Sequence, residues 1–172
     1  MRRRAFLGLA AGAAAGLAGC TASALPSAGL GGEEAPAGCP ALLDVERRVC
    51  PESDGPIGVE RSNRSVSGDA WSLVVTVTNG SEEPVGLNPY AWSVHRSAED
   101  GWRQVAPNAH IEPWTELAPD AGYAWQLTAG DEGLDGADQR VALGLDPGRY
   151  AFAIPLRADR RIGAIARFDV SR

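Results

Sequence analysis

The sequence predicts an all-β fold, an antiparallel β-sandwich of seven or eight strands. Three observations carry this. Apolar and polar residues alternate at period two in several separate runs. Turn signals recur at intervals of roughly 8–12 residues. No run of about ten or more residues carries a convincing helical repeat. With 172 residues and 18.0 kDa, the chain has room for one domain. Its 21 Gly and 12 Pro favour turns and short strands over long helices.

Taken in order, Ile57 to Arg61 is a weak first strand. Trp71, Leu73, Val75 and Val77 alternate with Ser72, Val74, Thr76 and Thr78, the clearest strand in the chain. Asn79 to Pro84 is a turn. Tyr90, Trp92 and Val94 alternate with Ala91, Ser93 and His95, which predicts a strand from Tyr90 with His95 facing solvent. Glu99-Asp100-Gly101 turns into a short strand over Trp102 to Val105, and His110 to Trp114 reads as another. Tyr123, Trp125 and Leu127 repeat the period, and residues 130–139 form an acidic, Gly-rich loop. Leu145-Asp146-Pro147-Gly148 launches Tyr150, Phe152, Ile154 and Leu156 on one face; Asp159 to Arg161 turns into Ile162 to Val170. Pro155 lacks a backbone donor inside a strand that should be central, which predicts a bulge or an early end there.

Residues 1–19 read as an export signal. Arg2, Arg3 and Arg4 precede an uncharged run from Phe6 to Ala18. That run is shorter than the roughly 20 apolar residues needed to span a bilayer. Arg3-Arg4-Ala5-Phe6-Leu7 resembles the twin-arginine consensus, and Leu17-Ala18-Gly19-Cys20 resembles a lipobox. The resemblance implies export through Arg3 and Arg4, cleavage before Cys20 and a lipid on the Cys20 thiol. The protein would then sit on the extracytoplasmic face of the membrane. Residues 20–38 hold the lipidated Cys and a linker rich in Ala, Gly, Ser and Pro, with a reach on the order of 23 Å.

With Cys20 committed to lipid, Cys39 and Cys50 remain as an even pair outside the membrane, where disulfides persist. A continuous helix between them would hold them about 16 Å apart, and a disulfide needs Cα atoms within about 7 Å. Helix and disulfide therefore exclude each other unless the segment folds back. Residues 39–56 are expected as a disulfide-closed segment ahead of a sandwich over 57–172.

Formal charge is −6, from 16 basic residues against 22 acids. Removing the three signal arginines leaves 13 Arg against 22 acids, or −9. There is no Lys. A Lys-free acidic surface resembles that of haloarchaeal proteins, where carboxylates hold water in salt. The acidic balance argues against nucleic-acid partners, which require a basic patch.

The chemistry-bearing residues are few. His95 and His110 are the two His, and Asp131, Glu132, Asp135 and Asp138 crowd one loop without the calcium-loop spacing. No metal and no cofactor are expected, and no nucleophile elbow or zinc-protease motif is present. Asn63-Arg64-Ser65 and Asn79-Gly80-Ser81 are glycosylation sequons, Asn79 on a turn where a glycan would be accessible. Trp102 and Trp114 lie near loops and suggest an aromatic patch for a sugar or a protein.

Leu145-x-Pro147-Gly148-x-Tyr150 resembles the tyrosine corner of immunoglobulin-like sandwiches. With Val75-x-Val77-x-Asn79, Glu83-Pro84-Val85 and Leu117-x-Pro119, it resembles the small immunoglobulin-like domains of prokaryotic surface proteins. It is also similar to the intracellular proteinase inhibitors of bacilli. The resemblance implies a non-enzymatic surface domain that binds an envelope protein or a glycan. A proteinase inhibitor of the same fold is the alternative, and a small hydrolase or enzyme accessory subunit stands third.

Overall fold

The computed structural model describes residues 38–107, 113–130 and 136–172. All of them belong to one compact unit, Gly32–Arg172. Among the described residues there are twelve strands and no helix. They are β1 (Arg47–Val49), β2 (Ile57–Arg61), β3 (Ser65–Ser67), β4 (Trp71–Asn79), β5 (Val85–Leu87) and β6 (Ser93–Ala98). The rest are β7 (Gly101–Ala106), β8 (Thr115–Leu117), β9 (Gly122–Ala129), β10 (Gln139–Ala142), β11 (Gly148–Arg157) and β12 (Arg161–Ser171).

The strands form two stacked sheets. The smaller runs β10-β9-β4-β2. The larger has eight strands around the β11–β12 hairpin, whose register runs unbroken from Gly148↔Val170 to Arg157↔Arg161. The sandwich is mixed rather than purely antiparallel: β1 and β3 both pair parallel with β12, and β10 pairs parallel with β9. Short strands such as β1 and β3 escape a periodicity reading because three residues show barely one alternation. Parallel pairing of β10 follows from Asp138, which holds the chain beside the start of β9. Its backbone N–H donates to the Ala124 carbonyl, and its carboxylate accepts from the Ala124 N–H.

Alternation places the core. Trp71, Leu73, Val75 and Val77 of β4 and Trp125 and Leu127 of β9 face Tyr150, Phe152, Ile154 and Leu156 of β11. Trp125 and Phe152 touch at 5.5 Å between ring centroids. The Tyr150 hydroxyl donates to the Asp146 carbonyl at 2.7 Å, the bond of a tyrosine corner. Burial raises the Tyr150 pKa, so it stays a donor.

The outer face of the hairpin is also covered, over half its length. Ala151, Ala153 and Ile165 pack with Leu42, Leu43, Trp102 and the Cys39–Cys50 disulfide in a second apolar cluster. The two cysteines bring their Cα atoms to 5.9 Å, and β1 joins the closed segment to β12. The segment lies close: a Cβ on Gly163 would stand 3.1 Å from Val45 Cγ2 and 3.3 Å from Leu43 Cδ1. Small outward residues are the condition for this second layer.

Candidate functional site

The other half of the outer face is open, and Pro155 marks where it begins. β11 does not bulge or end there; Pro155 keeps its place opposite Gly163. The adjustment falls on the neighbours. On the far side of β11, β6 pairs with residues 150–153 and β5 with 156–157. Between them residues 88–92 leave the sheet, so Ile154 and Pro155 have no partner on that side. A residue without an N–H is accommodated by leaving the ladder site empty. The expected strand from Tyr90 accordingly starts at Ser93, and Tyr90 is exposed. The departing loop is fixed from within: the Trp125 indole N–H donates to the Pro89 carbonyl at 2.9 Å, and the Tyr90 N–H to Asn88 Oδ1.

This gap is part of a groove of about 610 Å³, within the size range of small-ligand sites. Pro155 lines it together with Asp44, Asn88, Trp114, Arg157 and Arg161. Trp114, just before β8, is 55% exposed, an unusual state for so large an apolar side chain. Its indole lies against Gly86 so closely that a Cβ there would overlap the ring. The Arg157 guanidinium stands 5.6 Å from the ring centroid, a cation–π distance. Arg157 and Arg161 face each other across the hairpin end. Arg161 meets Asp44 at 3.4 Å and Glu46 at 3.8 Å. Among the described residues no carboxylate pairs with Arg157.

Two further hollows are more crowded with opposing charges. One of about 280 Å³ lies by Arg47, Glu82, Glu83, Asp159 and Arg160. One of about 430 Å³ lies by Glu52, Arg61 and Arg64. There Glu52 accepts from Arg64 at 2.7 Å and meets Arg61 at 3.6 Å. Burial of Arg61 lowers its pKa, with Glu52 opposing that shift.

Several expected positions read differently in three dimensions. His95 does point away from Val94, but that side is not solvent. His95 is buried, its strand partner is Ala151 beneath the disulfide segment, and its Nε2 lies 2.9 Å from the Ser93 hydroxyl, also buried. Burial lowers its pKa and keeps the ring neutral. Asn79 is no accessible glycan acceptor: its side chain is fully buried. Its amide donates to the Glu83 and Leu117 carbonyls at 2.9 Å, while Oδ1 accepts from the Ser81 N–H and hydroxyl. A polar side chain ending a central strand is worth burying when every lone pair and proton is used. Asn63 is exposed. Trp102 and Trp114 do not share one patch. Trp102 is half-buried in the outer cluster, and Trp114 stands by the groove.

Arg3, Arg4, Cys20, His110, Asp131, Glu132 and Asp135 lie outside the described residues. Among the described residues no group of three His, Cys, Asp or Glu is placed to hold a metal ion, and no helix is long and apolar enough to cross a membrane. Sequence reasoning identified Trp114 and the oddity of Pro155, but not Asn88, Arg157 or Arg161. Nothing in the sequence says that these meet.

A scan against protein-family models and a search of curated proteins each find no match. Solved structures similar to the chain include target SoR45 of the Northeast Structural Genomics Consortium. It is 16% identical, with 68% of this chain and 87% of that one covered and a TM-score of 0.40. Another is Pseudomonas fluorescens alkylpurine DNA glycosylase AlkC bound to DNA containing an abasic site analog, at 13%, 69% and 31%, and 0.35. A third is β-glucosidase from Listeria innocua in complex with isofagomine, at 12%, 67% and 16%, and 0.32. The chain spans less than a third of the latter two proteins' length. At these scores the likenesses assign no activity.

Proposed function

We propose that the protein is a lipid-anchored, non-enzymatic surface domain that presents the Trp114 groove to a ligand outside the cell. The observation that carries the binding role is the exposed indole of Trp114 beside an open groove, on a face whose other half is sealed. An indole held against Gly86 is available without rearrangement, so little ordering cost opposes binding. The anchor rests on Arg3, Arg4 and the Leu17-Ala18-Gly19-Cys20 run. An acyl chain contributes about 0.8 kcal/mol per buried methylene, so a two-chain lipid holds the protein firmly. The linker then lifts the domain clear of the headgroups.

Two measurements test this reading. Mass spectrometry of the mature N-terminus should find a chain beginning at Cys20 with a lipid on its thiol, and Cys20→Ser should release the protein from membranes. An unmodified Cys20 on a membrane-free protein overturns the anchor. Glycans and envelope proteins arrayed against the wild-type chain and Trp114→Ala should give binders that the variant loses. Binders indifferent to Trp114 overturn the groove.

A further inference from the structure

We propose that the groove takes a sugar bearing a carboxylate, with the ring on the Trp114 indole and the carboxylate on the Arg157 guanidinium. This rests on the groove being the ligand site and names the ligand's chemistry.

The first argument is charge. Of the guanidinium groups at the end of the β11–β12 hairpin, those of Arg157 and Arg161 line the groove, and they differ. Arg161 meets both Asp44 and Glu46. Arg157, its partner in register, stands at cation–π distance from Trp114 and meets no carboxylate among the described residues. What sets Arg157 apart is its place: it lines the groove and stands by the exposed indole with no carboxylate of the described residues to neutralise it. A guanidinium presents its donors in a planar fork that matches a carboxylate. At 5.6 Å from the ring centroid, the guanidinium stands beside the indole before the ligand arrives.

The second argument is shape. An exposed indole is a flat apolar platform, and the C–H face of a pyranose ring is its complement. Pro155 adds apolar surface beside it. In a hexuronate the carboxylate is attached directly to the ring, so a ring resting on Trp114 carries its charge to the edge where Arg157 stands. An acidic peptide is the competing ligand for an Arg. Extended peptides bind sheets by adding backbone hydrogen bonds. The gap here is centred on a residue with no N–H, so it is a poor template for an added strand.

The test uses residues 21–172, since every strand among the described residues and both apolar clusters lie within residues 38–172. Isothermal titration compares trigalacturonate with maltotriose, which has similar rings and no charge. The acidic sugar should bind about tenfold more tightly or better, the worth of one charge-assisted pair. Arg157→Gln should remove that preference, bringing trigalacturonate to the affinity of maltotriose. Trp114→Ala should abolish binding of both, and Arg149→Gln, away from the groove, should change neither. Equal affinity for the two sugars, an Arg157→Gln variant that keeps the preference, or no binding of trigalacturonate overturns the proposal. A neutral sugar or a protein that binds in a Trp114-dependent way and more tightly than trigalacturonate overturns the carboxylate and leaves the groove standing. Loss of Trp114 dependence for every binder removes both.

Discussion

On its outer face β11 has two halves with opposite fates. Ala151 and Ala153 lie under the disulfide-closed segment and are fully buried. Pro155 and Arg157 border an open groove. The inner face of the same strand is uniformly apolar and uniformly buried. The difference therefore does not come from the strand's own hydrophobicity. It comes from what lies beside it. At Ala151 and Ala153, β6 continues the sheet and the Cys39–Cys50 segment roofs it. At Pro155 the neighbouring strand leaves, and the roof reaches only the groove's rim at Asp44 and Val45. One strand thus serves as core at one end and as a site at the other.

The largest expected effect is on the roof. Replacing Cys39 and Cys50 together by Ala should cost about 2–4 kcal/mol of stability, read from the urea midpoint. Amide exchange should rise in residues 151–153 while the inner core keeps its protection. A midpoint that does not move would mean the sealed half needs no staple.

Next comes the space beneath the roof. Ala153→Leu should cost about 1–3 kcal/mol, because the layer above is already in contact and cannot accept three more carbons. A neutral result would show the sealed half to be loosely packed.

A smaller effect, dependent on pH, comes from His95. Its folded pKa lies below the ordinary 6.5 because burial penalises the charged ring. The unfolded chain therefore takes up the proton first as pH falls through about 6.5. Stability is fully present above that value and declines below it, toward the lowered folded pKa. Thermal melts from pH 8 to pH 5, compared with His95→Gln, should show a decline on the acid side that the variant reduces. Identical pH profiles would contradict a sealed, neutral ring.

The smallest stability effect belongs to the open half. Trp114→Ala should cost about 1 kcal/mol or less, read from the urea midpoint, because more than half of the indole is already in water. A loss comparable to the roof variants would recast Trp114 as a structural residue.

These contrasts separate what was legible in the sequence from what was not. The strands β4, β9, β11 and β12 stand out because each is long enough to show period two. The corner before Tyr150 stands out because its turn chemistry is local. By contrast, Asn79 has the sequence of an accessible acceptor. Its burial depends on carbonyls at Leu117 and Ala118, nearly forty residues away. His95 alternates outward as its neighbours require, and its burial comes with a second apolar layer over its strand partner Ala151, built from residues far away in the chain.

Alternation of apolar side chains by itself determined that this chain folds as two stacked sheets, because each strand carries its own record of which side meets the core. Pro155 by itself announced a fault in a central strand, since the missing N–H is a property of one residue. How the fault was resolved was decided only in the tertiary structure. Whether a strand bulges, ends, or keeps its course while its neighbour departs depends on what the neighbour can satisfy elsewhere. Here the indole of Trp125 fixes the departing loop at Pro89. The meeting of Trp114, Arg157 and Pro155 follows from that choice, between residues whose separation along the chain conceals it.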